Sequence, residues 1–163
     1  MKEGMTMTEH SIVHSTFVIE RNYPQSPDRV WAAFAQPERK RRWYAEGDHE
    51  TQEFEMEFKV RGKERHSYRF KDVHPLAGQV ISNEGTFHVI SSGECIVSSS
   101  TMSLNGKPIL VSLLTMKFVP NASGTDLIFT EQGAFFDWPD GPKMLEAGWR
   151  ALFQKLETYL AAK

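Results

Sequence analysis

Three side chains in this sequence combine a residue type and a position that could orient or protonate a small molecule: His66, Tyr68 and Glu131. An imidazole titrates near neutrality, a phenol both donates and accepts hydrogen bonds, and a carboxyl group cut off from water has a raised pKa suited to proton transfer. His66 and Tyr68 lie two positions apart, so on a strand they point to the same side. If that side is an apolar enclosure shared with Glu131, the three can hold a ligand or act as acid and base. Otherwise they form a satisfied internal network, the usual state of buried polar groups. Glu84 and His88 pose the same choice, but Ser82 and Thr86 share their face and favour solvent exposure.

Other chemistry is sparse. The six histidines, His10, His14, His49, His66, His74 and His88, are scattered. Only His10 and His14 have helical ligand spacing, and they fall in a tail or strand start, so no metal and no cofactor is expected. P-loop, G-x-S-x-G, H-E-x-x-H and dinucleotide glycine patterns do not occur. The single cysteine, Cys95, cannot form an intrachain disulfide, has no neighbouring cue for activation, and suits a reducing, cytoplasmic setting. Arg39-Lys40-Arg41-Arg42, followed by Trp43 and Tyr44, could meet an anionic group, but on a short surface helix such a run reads as a solvated face. A net charge of −2 gives no reason to expect nucleic acid as a partner, and no stretch approaches the length of a membrane span.

The elements that must position these residues follow from periodicity. With 163 residues, 40% hydrophobic and 25% charged, the chain fits one globular domain that buries roughly 70% of its unfolded surface. Residues 1–11 are expected to be a flexible N-terminal tail and 12–163 a single domain. A first strand is predicted over Ile12 to Asn22. Ser26-Pro27-Asp28 then signals a helix start, and Pro37-Glu38 starts a second short helix ending at Trp43 and Tyr44. Strands are predicted over Gln52 to Val60, Lys63 to Val73, Gln79 to Ile90, Glu94 to Leu104, Pro108 to Val119 and Thr125 to Phe136. In the first of these, Phe54, Met56, Phe58 and Val60 alternate with charged residues. Asn105-Gly106 is the strongest hairpin signal. Leu145, Trp149, Leu152, Phe153, Leu156, Tyr159 and Leu160 recur at helical spacing and define a long closing helix, which a curved antiparallel sheet of six to seven strands must cover. The fold class is therefore α+β.

The order of these segments resembles a known superfamily. Phe17 to Arg21, Ser26 to Phe34, Pro37-Glu38 and Arg42-Trp43-Tyr44 are similar to the opening of START-like, or SRPBCC, proteins. More narrowly they resemble the branch named after the activator of heat-shock protein 90 ATPase. Gly124 to Gly133 and Glu146 to Trp149, with Leu152 and Leu156, resemble that family's closing strand and helix. The resemblance spans Thr16 to Ala161 and implies a helix-grip fold, with a cavity between sheet and helix that relatives use for lipids, sterols, polyketides or other apolar compounds. Only some branches are enzymes, so the fold does not fix the chemistry. Where relatives often carry bulky aromatics, this chain has Ser98 and Ser100, on the same strand face as Ile96 and Met102. If that face points inward, the cavity is roomier and more polar, whereas a one-residue slip in register would turn both serines outward.

Strand parity combined with that fold gives an expected ligand-binding set of Trp43, Phe54, Met56, Phe58, His66, Tyr68, Phe70, Phe87, Ser98, Ser100, Met102, Phe129, Glu131, Phe135, Trp149 and Phe153. The leading expectation is noncatalytic binding of a small hydrophobic or amphipathic molecule, with an aromatic body among the candidates. The first alternative is a cyclase, dehydratase or hydrolase using Glu131 or His66 for proton transfer. The second is an interaction protein of cochaperone type. An edge strand leaves a homodimer open.

Overall fold

Alternation of β-branched or aromatic residues with polar ones produces seven strands: β1 (Ile12–Tyr23), β2 (His49–Met56), β3 (Lys63–Phe70), β4 (Val80–Ser91), β5 (Cys95–Leu104), β6 (Lys107–Asn121) and β7 (Gly124–Phe136). The computed structural model describes residues 11–47, 49–71 and 76–162. All neighbouring strands are antiparallel, in the spatial order β1-β7-β6-β5-β4-β3-β2. The sheet is curved, and bulges after Thr51, Phe87 and Met102 add local bends.

The order has one consequence for the site. β1 and β2 are consecutive in sequence yet occupy opposite edges, so the chain between them must cross the open side of the curve. That crossing is made by α1 (Pro27–Ala35), α2 (Pro37–Lys40) and a single π turn (Arg41–Ala45). Ser26 caps α1 by accepting from the Arg29 N–H at 3.3 Å, and Pro27 takes the first turn. The second helix is shorter than expected: the i→i+5 turn takes over at Arg41 and carries Trp43 and Ala45 into the core. Trp43 Nε1 donates to the Ala33 carbonyl at 2.9 Å, holding the crossing together.

The closing helix α3 (Gly141–Ala161) buries Leu145, Trp149, Phe153, Leu156 and Leu160, the stripe expected from their spacing. Arg29 donates to the Leu160 carbonyl at 2.8 Å, tying α1 to the end of α3, and Tyr23 donates to the Phe153 carbonyl at 3.1 Å. The Asn105-Gly106 hairpin has both residues at positive φ, 49° and 85°, as a primed turn requires. Among the described residues no helix is long and apolar enough to cross a membrane.

Some expected boundaries shift. The strand predicted over Gln52 to Val60 begins earlier, at His49, and ends at Met56. Phe58 and Val60 therefore lie in the turn before β3, where Arg61 has φ 69°. Phe58 still packs edge-on against Trp31 and Phe87, but Val60 is half exposed. Alternation alone could not detect the turn, because it continues through Phe58 and Val60. The strand expected to reach Val73 is described to Phe70; Val73, His74 and the tail residues including His10 lie outside the described residues.

Candidate functional site

The inner face of the sheet is aromatic and aliphatic except across its middle. Cross-strand register aligns Ser15, Gly133, Ser112, Ser100, Gly85 and Glu64 in one inward row from β1 to β3. The adjacent row runs Phe17, Glu131, Leu114, Ser98 and Phe87. On the other side lie Val13, Phe135, Leu110, Met102, Asn83, His66 and Phe54. Small side chains lined up across several strands leave a trough under the helix. The two glycines are tightly held: a Cβ on Gly133 would meet Leu110 Cδ1 at 2.7 Å, and one on Gly85 would meet the Ser99 carbonyl at 3.0 Å.

Within this region is a cavity of about 40 Å³, lined by residues that include Phe34, Lys40 and Tyr44 from the crossing segment, Glu64 and Gly85, Phe87, Ser98 and Ser100, Leu114 and Met116, and Trp149 from α3. A space of that size holds a few water molecules. Ser98 and Ser100 face inward with Ile96 and Met102, which is the register the sequence required for a polar cavity.

Lys40 is the main correction to the sequence reading. It was expected on a solvated face, but only 5% of it is exposed. Its Nζ lies 2.6 Å from Glu64 Oε2 and 4.7 Å from the centre of the Tyr44 ring. The reason is topological: the chain crossing turns one side of the basic run inward over β3, while Arg39, Arg41 and Arg42 remain exposed. Glu64 has the strand parity of His66 and Tyr68, so its inward direction was available from alternation.

The three residues singled out at the start sit beside the cavity rather than on its lining. His66 is 3% exposed, and neither ring nitrogen has a hydrogen-bond partner among the described residues. Burial, with the positive charge of neighbouring His49, Lys40, Arg41 and Lys155, pushes its pKa down to about 3. It is therefore a neutral imidazole in an aromatic cluster, with ring centres 5.1 Å from Tyr44, 4.9 Å from Tyr68, 5.8 Å from Phe54 and 5.9 Å from His49. Burial pushes the Tyr68 phenol up to about 12 and, aided by Glu64, Tyr68 and Glu131, holds Tyr44 well above the usual phenol range.

Glu131 is also 3% exposed. Burial pushes its carboxyl up to about 7, partly offset by the Ser112 hydroxyl and the Trp149 indole. Glu131 Oε1 and Ser112 Oγ nevertheless make no hydrogen bond of normal geometry. The Trp149 ring centre lies 4.5 Å from that of Phe129 and 6.0 Å from that of Tyr44, so Trp149 touches both the β7 side of the interior and the crossing segment.

Of the expected ligand set, Phe87, Ser98, Ser100 and Trp149 reach the cavity directly. Trp43 lies behind Tyr44 and Phe34, at ring distances of 5.8 Å and 5.0 Å. Phe129 and Phe153 pack behind Trp149, while Phe135 and Met102 belong to the surrounding core. Phe54, Tyr68 and Phe70 extend the cluster around His66, Met56 is partly buried against the core, and Phe58 packs on Phe87 and Trp31. Lys40, Glu64, Phe34 and Gly85 are the cavity residues that sequence reasoning missed. Glu84 and His88 lie exposed on the outer face, paired with Arg65 at 3.2 Å and Ser99 at 2.7 Å. Cys95 begins β5, half-buried. Among the described residues no group of three or more His, Cys, Asp or Glu side chains could hold a metal.

The fold matches known proteins. A similar solved structure, from Rhizobium leguminosarum, is 30% identical and covers 96% of this chain and 100% of its own, with a TM-score of 0.87. Another, from Rhizobium loti, is 41% identical over 92% of this chain and 99% of its own, with a TM-score of 0.83. An AHSA1-like protein from Aeromonas hydrophila shares the fold at 20% identity, with a TM-score of 0.66, over 91% of this chain and 93% of its own. No curated protein matches. The family model for Activator of Hsp90 ATPase homolog 1-like protein matches residues 24–161, which include every strand after β1, the crossing segment and α3. The chain belongs to this family, within the START-like, helix-grip superfamily.

Proposed function

We propose that this protein binds a small amphipathic molecule with an apolar or aromatic body between the sheet and α3, without turning it over. The supporting observation is the group of polar side chains buried beside one small void in an aromatic core. His66, Ser112 and Glu131 all carry buried atoms with no hydrogen bond of normal geometry among the described residues. Leaving such atoms unmet is costly, so they imply water or a ligand as the missing partner. Apolar burial supplies most of the affinity, at roughly 25 cal/mol per square ångström removed from water. The cavity of about 40 Å³ has room only for water. A larger ligand enters by displacing the crossing segment, whose Phe34, Lys40 and Tyr44 form one wall.

The test is a titration with N-phenyl-1-naphthylamine, a neutral probe whose emission rises in apolar surroundings. Saturable one-to-one binding is expected, weakened at least tenfold when Ser98→Leu and Ser100→Leu fill the trough. An absence of saturable binding removes the proposal.

Glu131 favours a second reading. A buried carboxyl with a pKa of about 7 can exchange a proton near neutrality, as a cyclase, dehydratase or hydrolase requires. His66, pushed down to about 3, is the weaker base. Turnover that survives Glu131→Gln would eliminate this reading.

A further inference from the structure

The wall of the cavity carries a charged pair that a binding site for an apolar molecule does not need. The Lys40 side chain is 7% exposed and that of Glu64 19%, with 2.6 Å between ammonium and carboxylate. Such pairs are expensive to desolvate, and an apolar pair of similar volume often serves stability as well or better. Their cavity position gives them another role.

Two features define which polar head the wall accepts. The first is charge. Lys40 and Glu64 cancel, His66 is neutral, and Glu131 adds nothing or one negative charge. Arg41, 45% exposed and paired with Glu46, lies in high-dielectric surroundings. The Lys155 ammonium also acts on His66 but donates to the Glu46 carbonyl. The charged residues on the cavity lining, Lys40 and Glu64, cancel, so the lining itself offers no net positive charge to an incoming anion. The second is hydrogen bonding. Glu64 Oε2 is held by the Lys40 ammonium at 2.6 Å and, as a carboxylate oxygen, keeps a second lone pair for a donor; Glu131 Oε1 is an unmet acceptor, while Ser112 Oγ can adapt in either direction. Ser98 and Ser100 add hydroxyl groups to the same region.

We propose that the Lys40–Glu64 pair makes this cavity select a neutral, hydrogen-bond-donating head group, an alcohol or a phenol, and reject the carboxylate of the same skeleton. This selection rests on the ligand-binding reading above. Glu64 accepts from the head group while Lys40 keeps Glu64 ionised; a carboxylate in the same place faces Glu64 with its own charge uncompensated.

The experiment compares 2-naphthol with 2-naphthoate at pH 7.5, where the first is neutral and the second an anion, using tryptophan fluorescence on the full chain. The naphthol is expected to bind at least tenfold more tightly. Glu64→Gln preserves shape but leaves Lys40 unbalanced, so the preference should shrink at least tenfold as naphthoate gains affinity. Lys40→Met leaves Glu64 unbalanced and should widen the preference; it serves as the test if Glu64→Gln does not fold. Naphthoate binding as tightly as naphthol, or a preference unchanged in a folded variant, overturns the selection while leaving the cavity reading intact. If neither compound binds saturably, the binding reading fails, and the selection with it.

Discussion

Replacing Glu131 by glutamine should change how stability depends on pH, because the substitution removes one titration from the protein interior. Glu131 is 3% exposed, and its pKa rises from an ordinary 4.5 to about 7 on folding. Between those values the folded state retains a proton that the unfolded state has released. Raising the pH through that window therefore favours unfolding. The cost is nearly absent below pH 4.5, about 1 kcal/mol at pH 5 and about 3 kcal/mol by pH 8, at 1.36 kcal/mol per pKa unit. His66 works in the opposite direction. Its folded pKa of about 3 against an ordinary 6.5 gives stability that is present above pH 6.5 and lost as pH falls toward 3. In the native chain the two contributions largely cancel between pH 5 and 8, whereas Glu131→Gln leaves the His66 slope exposed. Urea unfolding followed by tryptophan fluorescence at pH 5, 6, 7 and 8 gives the stability difference between variant and native protein. That difference should move by about 2 kcal/mol in favour of the variant from pH 5 to pH 8. A difference independent of pH refutes the assignment of a buried, proton-exchanging Glu131.

Three further substitutions probe the frame. Lys40→Ala strands the Glu64 carboxylate in the interior and should cost roughly 3 to 5 kcal/mol by urea unfolding, with Lys40→Met/Glu64→Leu recovering most of the loss. Phe153→Ala, at a residue with no exposure, should cost about 3 to 5 kcal/mol in the same assay. Gly133→Val places a Cβ 2.7 Å from Leu110 and 3.2 Å from Phe135. It should cost about 1 to 3 kcal/mol by overpacking, read as a lowered unfolding midpoint.

Much of the fold was legible because its physics is local. The stripe Leu145, Trp149, Phe153, Leu156 and Leu160 identifies α3 by spacing, Asn105-Gly106 marks its hairpin, and Ser26-Pro27-Asp28 marks the start of α1. The site was legible only where strand parity sufficed, as for Ser98, Ser100 and His66. Lys40 was not, since the side of a basic run that becomes buried depends on where the crossing segment passes over β3. Gly85 and Gly133 acquired meaning only once register placed them in one row with Ser100 and Ser112. Phe58 and Val60 show the reverse problem: a pattern can continue past the end of its strand.

The most direct test of the central claim, that a small amphipathic molecule occupies the interior, is native mass spectrometry of the protein isolated from its natural host. A chain carrying one noncovalent small molecule, released on collisional activation and absent from the Ser98→Leu/Ser100→Leu variant, is the expected result. A spectrum containing only the bare chain, or an adduct that persists unchanged in that variant, would contradict it.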